Sequence, residues 1–284
     1  MNILFDCDNT MGLPSCDNDD GLTLLYLLGS GVNLLGITSS FGNSTQEKVY
    51  ENNKRLIKKL GLKIPVLKGA PSPEEPISEA SRFLLKMSRE VEDLHLLVTG
   101  GTTNLYGAFL EDPSFFDRIQ SISFMGGIEK DLFVDGKPMK ELNFSVDFKA
   151  SFHVFSHAKN ITIATAHEAL KSEFLFDEFY EEVEVYLKAL KDFMVEETRP
   201  WYEEHRERWP NIGHVNWDML AAVALIHPEV ITLKEATISP SLESLKSGCL
   251  NGGDKKIQIR IPTITDRDAF KRHVYDTYRK VHLR

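Results

Sequence analysis

The sequence predicts an α/β fold, a single domain over residues 1–284 built on an open, mostly parallel sheet with helices on both faces. Three observations carry that expectation. Short apolar runs alternate with helical stretches through the first two-thirds of the chain, the pattern of parallel strands joined by crossover helices. Several of the runs end in polar, glycine-containing turns, among them "SSFGN" and "VTGGTTN". The first such turn, "DCDNTMGLPSCDNDDG" at residues 6–21, gathers five aspartates: Asp6, Asp8, Asp17, Asp19 and Asp20.

Taken in order, "NILF" is a short buried strand, and "GLTLLYLLGSG" carries leucines at helical spacing and stops at glycine. "VNLLGITSSF" reads as a strand, "STQEKVYENNKRLIKKLGL" as a helix closed by Gly61, and "KIPVLKGA" as a strand. A loop and a helix fill residues 72–93. "LHLLVTGGTTNLYGAFLEDP" repeats the strand, turn and helix plan, and "ISFMGGIEK" and "NITIATAH" add two further strands. Residues 173–209 are charged and aromatic at helical spacing and read as one or two helices, with Pro200 starting or kinking the second. "DMLAAVALIHP" is a helix, "EVITLKEATI" and "KIQIRIPTI" are late strands, and "DRDAFKRHVYDTYRKV" is a terminal helix.

The composition, 42% apolar and 26% charged, is that of a globular protein, and a formal net charge of -9 argues against a general binder of nucleic-acid backbones. No basic, apolar leader opens the chain and no run of about 18 apolar residues occurs, so a cytoplasmic location is expected. Cys7, Cys16 and Cys249 show no paired spacing and read as reduced thiols. Strand alternation turns Cys7 away from Asp6 and Asp8, so it reads as a packed thiol.

Why so many carboxylates gather behind the first strand is the question that leads to function. Their repulsion costs free energy unless water, a proton, donors or a cation compensates it. Placement at a helix start favours each exposed charge by under about 1 kcal/mol, too little for five. In a doubly wound sheet the strand ends supplying Asn43 and Thr99 converge on this turn. Oxygen donors of that kind suit calcium or magnesium rather than zinc. An EF-hand fails on the position of its glycine and on the missing closing glutamate. "FDCDNTM" also matches the D-x-D-x-T pattern of haloacid-dehalogenase-like phosphatases, with Asp6 as nucleophile and Asp8 as general acid. The late strands offer that reading no convincing paired-acid motif.

The residues resemble a known family, the nucleoside hydrolases of the inosine-uridine-preferring type, whose chains start with a strand, D-x-D-P-G-x-D-D and a leucine-rich helix. Here Asp6, Cys7 and Asp8 are followed by an insertion, "NTMGLPSC", before Asp19 and Asp20. The likeness continues through "LLVTGGTTNLYGAFLEDP", "ISFMGGI", "ELNFSVDFKASFHVF" and "WDMLAAVALIHPEV". It implies a nucleoside hydrolase fold with a Rossmann-like core and hydrolysis of the N-glycosidic bond of ribonucleosides. It also implies a calcium ion on Asp8, Asp20, the Thr99 carbonyl and Asp218, with Asp8 as the base that activates calcium-bound water. Asp6 matches a supporting aspartate. Asp19, Asn43, Glu141 and Asn143 match residues that hold the ribose, and Met125 a pocket-lining methionine. A homodimer or homotetramer is implied as well. A calcium-dependent nucleoside or ribose sensor without turnover is the rival of a different class.

Departures from the family pattern fall around the pocket. The family position of another ribose-binding asparagine lies in "KDLFVDGKPMK", where no asparagine stands, and an "HGxxGLG"-like loop is replaced by "PSPEEPISEASRFLL". Asp17 lies inside the insertion and reads as a loop or helix-capping residue. Asp218 starts an apolar helix, where a plain helix-terminus role is the alternative to metal binding. Where one branch of the family carries a histidine that helps protonate the departing base, Trp217 stands, a ring able to stack on the base. Trp201 and His205, four apart, fall on one helix face in the stretch where related enzymes place pocket aromatics.

Overall fold

The computed structural model describes residues 1–283. The chain begins β1 (Asn2–Cys7), α1 (Asp19–Gly29), β2 (Asn33–Ser39), α2 (Gln46–Lys59), β3 (Val66–Leu67), α3 (Glu79–Glu90), β4 (Leu94–Val98), α4 (Thr103–Glu111) and β5 (Ser121–Met125). A small hairpin, β6 (Leu132–Val134) and β7 (Lys137–Met139), precedes α5 (Phe148–His157), β8 (Ile161–Ala164) and the single-turn α6 (Ala166–Ala169). Next come β9 (Glu173–Phe174), α7 (Phe176–Glu184), α8 (Lys188–Arg208), β10 (His214–Val215) and α9 (Met219–Ile226). The end is β11 (Thr232–Ile238), α10 (Leu242–Leu245), β12 (Ile257–Thr263) and α11 (Arg267–Tyr278).

The central sheet has eight strands in the order β11-β12-β8-β5-β4-β1-β2-β3. All neighbours are parallel except the edge pair β11 and β12. From β1 the chain winds outward through β2 to β3, then returns to place β4 and β5 on the other side. The order therefore reverses between β1 and β4, and the crevice at the carboxyl ends there is where ligands bind in such sheets.

Alternation along β1 sorts its side chains. Ile3, Phe5 and Cys7 enter the core under α1, α9 and α11, while Leu4 enters the core under α3, α4 and α5. Cys7 is thus the packed thiol the alternation predicts, beside the Asn53 amide. The helix starts follow local chemistry: the Thr45 hydroxyl caps α2, and Ser78 and Ser81 form a reciprocal capping box on α3. Among the described residues no helix is long and apolar enough to cross a membrane.

One helical stretch differs from the sequence expectation. The break in residues 173–209 falls between α7 and α8, and Pro200 lies inside α8 without starting a new helix. The break is pinned by buried Tyr186, whose hydroxyl donates to the Tyr275 carbonyl of α11 at 3.3 Å. Pro200 cannot donate to the carbonyl four residues back, and the helix tolerates that single missing bond.

A charged network ties α8 to α2. Arg55 donates to both Glu197 oxygens at 2.8 Å and to the Met11 carbonyl at 2.8 Å, and Lys59 donates to Glu197 at 2.6 Å. Burial would raise the Glu197 carboxyl, but the Arg55 and Lys59 hydrogen bonds outweigh it and hold the group below the usual glutamate range. Glu197→Gln leaves the guanidinium without its charged partner and should cost about 1 to 3 kcal/mol in urea unfolding at pH 7. Because the folded pKa is depressed, this stabilisation is present above the ordinary glutamate pKa and is lost as pH falls through the folded value. The difference between wild type and variant should therefore shrink toward acid.

Candidate active site

The acidic turn leaves β1 at Asp8 and re-enters regular structure at α1, whose first two residues are Asp19 and Asp20. From neighbouring strand ends come Asn43 beyond β2, Thr99 directly after β4 and Met125 at the end of β5. Asp218 arrives as the N-cap of α9, with no side-chain capping bond. Its carboxylate is therefore not spent on the helix terminus that a structural role would use.

These groups surround a cavity of about 190 Å³, whose lining includes Asp17, Asp19, Asn43, Thr99, Met125, Glu141, Asn143, Trp217 and Asp218. Asp8 and Asp20 lie behind them, each 1% exposed. Asn43 grips Asp8: its backbone N–H donates to Oδ2 at 2.6 Å and its side-chain Nδ2 to Oδ1 at 3.3 Å. Only glycine fits at position 42, where a Cβ would stand 2.0 Å from Asp8 Oδ2. The Thr99 hydroxyl donates to Asp20 Oδ1 at 2.5 Å.

Asn143 is held by its amide nitrogen, which donates to the carbonyls of Thr99 at 2.9 Å and Met125 at 3.1 Å. With Nδ2 of both Asn43 and Asn143 engaged, each residue keeps its amide oxygen as an acceptor. Glu141 is largely occupied by the backbone. It accepts from the N–H groups of Gly127, Phe144 and Ser145 at 3.1, 2.8 and 3.0 Å, and so fixes the turn that carries Asn143.

Burial sets the electrostatics. It pushes the Asp8 carboxyl up to about 7, with the neighbouring Asp17 charge adding to the rise. Asp19, Asp20 and Asp218 are pushed well above the usual carboxylate range by burial first and by neighbouring aspartate charges second, chiefly Asp17 for Asp19, Asp8 for Asp20 and Asp19 for Asp218. Asp20 Oδ2 is buried without a hydrogen-bond partner. An all-oxygen set of crowded carboxylates with an orphaned acceptor fits a hard divalent cation and not a thiolate- or imidazole-preferring one.

Asp6 stands apart. It is buried, accepts from the Thr38 hydroxyl at 2.6 Å and from Asn104 Nδ2 at 2.9 Å, and is absent from the cavity lining. Two expectations change. Asp17 is a loop residue, as one of the two readings had it, and does not cap α1, whose N-cap is Asn18; in addition it lines the cavity and accepts from Asn43 Nδ2 at 3.1 Å. Trp201 and His205 do share a face of α8, with ring centroids 4.4 Å apart, but that face packs on Tyr202, His214 and Phe176 outside the cavity lining. The sequence reading also missed the hairpin wall, Leu132, Met139 and Lys140. The "DG" turn signal at Asp135 and Gly136 could have located the hairpin, though not its place beside the site.

Residues 3–272 match the family described as inosine-uridine preferring nucleoside hydrolase. The chain belongs to that family. Among its relatives, the inosine-uridine preferring nucleoside hydrolase of Leishmania major is 24% identical, with 92% of this chain and 88% of that one covered. The pyrimidine-specific ribonucleoside hydrolase RihA of Escherichia coli is 26% identical, covering 83% of this chain and 82% of its own. The solved purine-preferring ribonucleoside hydrolase from Gardnerella vaginalis superposes with a TM-score of 0.82 at 19% identity over 99% of both chains, a likeness of fold. The enzyme is thus a nucleoside hydrolase with its acidic turn at the switch point of the sheet.

The raised carboxyls have a measurable consequence in metal-free protein. Folded, they hold protons that the unfolded chain, with ordinary carboxyls, has already released, so this cluster's contribution to stability is fully present at low pH and is lost as pH rises through about 7. Thermal melting in chelator should show that decline between about pH 5 and 8, and saturating calcium should flatten it. Parallel profiles with and without calcium would mean that the carboxylates are not compensated by an ion.

Proposed function

We propose that the enzyme hydrolyses the N-glycosidic bond of ribonucleosides to ribose and free base, with calcium as the divalent ion and Asp8 as the general base. The observation that carries this reading is a cavity lined by Asp19, Asp218, Asn43, Asn143 and Trp217, with the buried carboxylates of Asp8 and Asp20 directly behind it. Asp8, Asp20, the Thr99 carbonyl and Asp218 are the groups assigned to the ion. When bound, calcium supplies positive charge that acidifies water and orients the sugar hydroxyls.

The protein's own residues carry the remaining work. Asp8, held at both oxygens by Asn43, accepts a proton from the attacking water as its oxygen bonds to the anomeric carbon. The carbon–nitrogen bond breaks with its electron pair departing on the base, which takes a proton from solvent, while positive charge grows on the ribose and the surrounding carboxylates stabilise it. Asp19 and the amide oxygens of Asn43 and Asn143 accept from sugar hydroxyls. Glu141 acts chiefly by holding the Asn143 turn, with Met125 beneath the sugar. Trp217 offers the departing base a stacking surface. The family likeness also carries the expectation of a homodimer or homotetramer.

The relatives are named for inosine-uridine, pyrimidine and purine substrates. We therefore assign the ribonucleoside class and leave the base open. Ribose release from a panel of purine and pyrimidine nucleosides, abolished by chelator and restored by calcium, is the expected result. Asp8→Asn should lower turnover on the order of 10²-fold or more; near wild-type turnover would overturn the mechanism. Tight nucleoside binding without ribose release would instead favour the sensor, and phosphate release from phosphorylated substrates the phosphatase.

Trp217 and the α8 pair make separate predictions. If the Trp217 ring stacks on the base, a contribution of about 1 to 3 kcal/mol is at stake. Trp217→Ala should then lose more kcat/KM on natural nucleosides than on nitrophenyl riboside, whose leaving group needs no assistance. His205→Ala, outside the cavity, should leave that ratio unchanged. An asymmetric loss in His205→Ala would return this histidine to leaving-group chemistry.

A further inference from the structure

The segment from Asn9 to Asn18 is a built loop. Asn9 Nδ2 donates to Asn53 Oδ1 at 3.0 Å, and Asn52 Nδ2 donates to the carbonyls of Asn9 and Met11 at 3.1 and 3.2 Å. Met11 is fully buried and its carbonyl also accepts from Arg55. At the far end Asn18 Nδ2 donates to the Thr198 carbonyl of α8 at 3.4 Å. Helices α2 and α8 thus hold the loop at both ends.

What the loop delivers is Asp17. The Thr10 hydroxyl donates to Asp17 Oδ1 at 3.2 Å, and Asn43 Nδ2 bridges that same oxygen and Asp8 Oδ1. One carboxylate oxygen from each of Asp17, Asp19 and Asp20 lies within 4.8 Å of the other two. Two oxygens on opposite sides of one calcium, each about 2.3 to 2.6 Å from it, stand about 4.6 to 5.2 Å apart. A second observation points the same way: Asp20 Oδ2, on a residue 1% exposed, has no hydrogen-bond partner.

We propose that Asp17 is an additional carboxylate ligand of the divalent ion, brought into its coordination shell by the loop of residues 9–18. This rests on the ion-dependent reading above and adds a ligand to the four that the family likeness assigns. Its net effect is to exchange a water in the shell for a charged oxygen. Calcium sites gain affinity with the number of charged ligands, so the loop tunes how tightly this enzyme keeps its ion.

The test uses the full-length protein with europium(III) as a luminescent substitute for calcium, together with calcium titration by calorimetry. Asp17→Ala removes both the charge and the ligating oxygen, whereas Asp17→Asn removes the charge alone and leaves an amide oxygen that can still ligate. For Asp17→Ala the expected result is about one more coordinated water by luminescence lifetimes in H2O and D2O, and calcium affinity lowered by about tenfold or more. Weaker affinity with an unchanged water count overturns direct ligation and leaves Asp17 as a positioning residue for Asn43. Unchanged affinity and water count overturn the proposal altogether while leaving the ion-dependent reading intact. Wild-type protein that binds neither ion overturns both. Melting in chelator checks folding: with one carboxylate fewer in the cluster, Asp17→Ala should melt no lower than wild type. Asp17→Ser serves as a second variant with the same two readouts.

Discussion

Mutual repulsion among Asp8, Asp17, Asp19, Asp20 and Asp218 is the constraint around which the carboxyl edge of the sheet is arranged. A parallel sheet that reverses its winding between β1 and β4 opens a crevice there, and the chain fills it with like charges. The N-terminus of α1 offsets part of the repulsion, since Asp19 and Asp20 sit in its first turn. A helix terminus contributes at most about 2 kcal/mol per charge, too little for this cluster. The Asn43 amide groups and the Thr99 hydroxyl take up single oxygens. The rest of the compensation has to come from protons or from a cation, so the cluster is poised for a ligand.

Around it, two further carboxylates serve as support, Asp6 beneath the cavity and Glu141 in its wall. Asp6 is buried under the site and tied to Thr38 of β2 and Asn104 of α4, which fixes the spacing of the strands that carry Asp8 and Thr99. Its backbone carbonyl also accepts from the Thr99 N–H at 2.9 Å. Glu141 does the same for the opposite wall through three backbone N–H bonds. Such supporting groups keep the rotamers of the reacting residues locked, which a site depending on tenths of an ångström requires.

The fold was legible because each strand ends in a turn that local chemistry announces, and because strand and helix periods differ along the chain. Asn43, Thr99, Asn143 and Asp218, expected at the site from collinear likeness, line the cavity with Asp8 behind it, and Trp217, expected there because it stands where a family branch has a histidine, lines it too. Asp17 was not expected there. Its place depends on the path of the loop, which long-range bonds from Asn52, Arg55 and Thr198 determine and no local pattern encodes. Trp201 and His205 misled for the converse reason: spacing of four fixes that two residues share a helix face, but tertiary packing decides what that face meets.

That packing gives α8 a different part in the site. Its middle holds the acidic loop, through Glu197 with Arg55 and through the Thr198 carbonyl with Asn18. Its end holds the hairpin that walls the cavity: Lys137 donates to the Arg208 carbonyl at 3.0 Å and lies over the Trp209 ring, and Asn211 just beyond donates to Asp135 at 2.9 Å. The loop and the hairpin are both places where this sequence leaves the family pattern, by an insertion in one and by the missing asparagine in the other. Both hang from the same helix. A helix that must hold two such segments has its inward face committed to the acidic loop and, through its own Tyr202, to His214, so its aromatic pair packs outside the cavity lining while Trp217, carried on the short connection into α9, reaches the cavity.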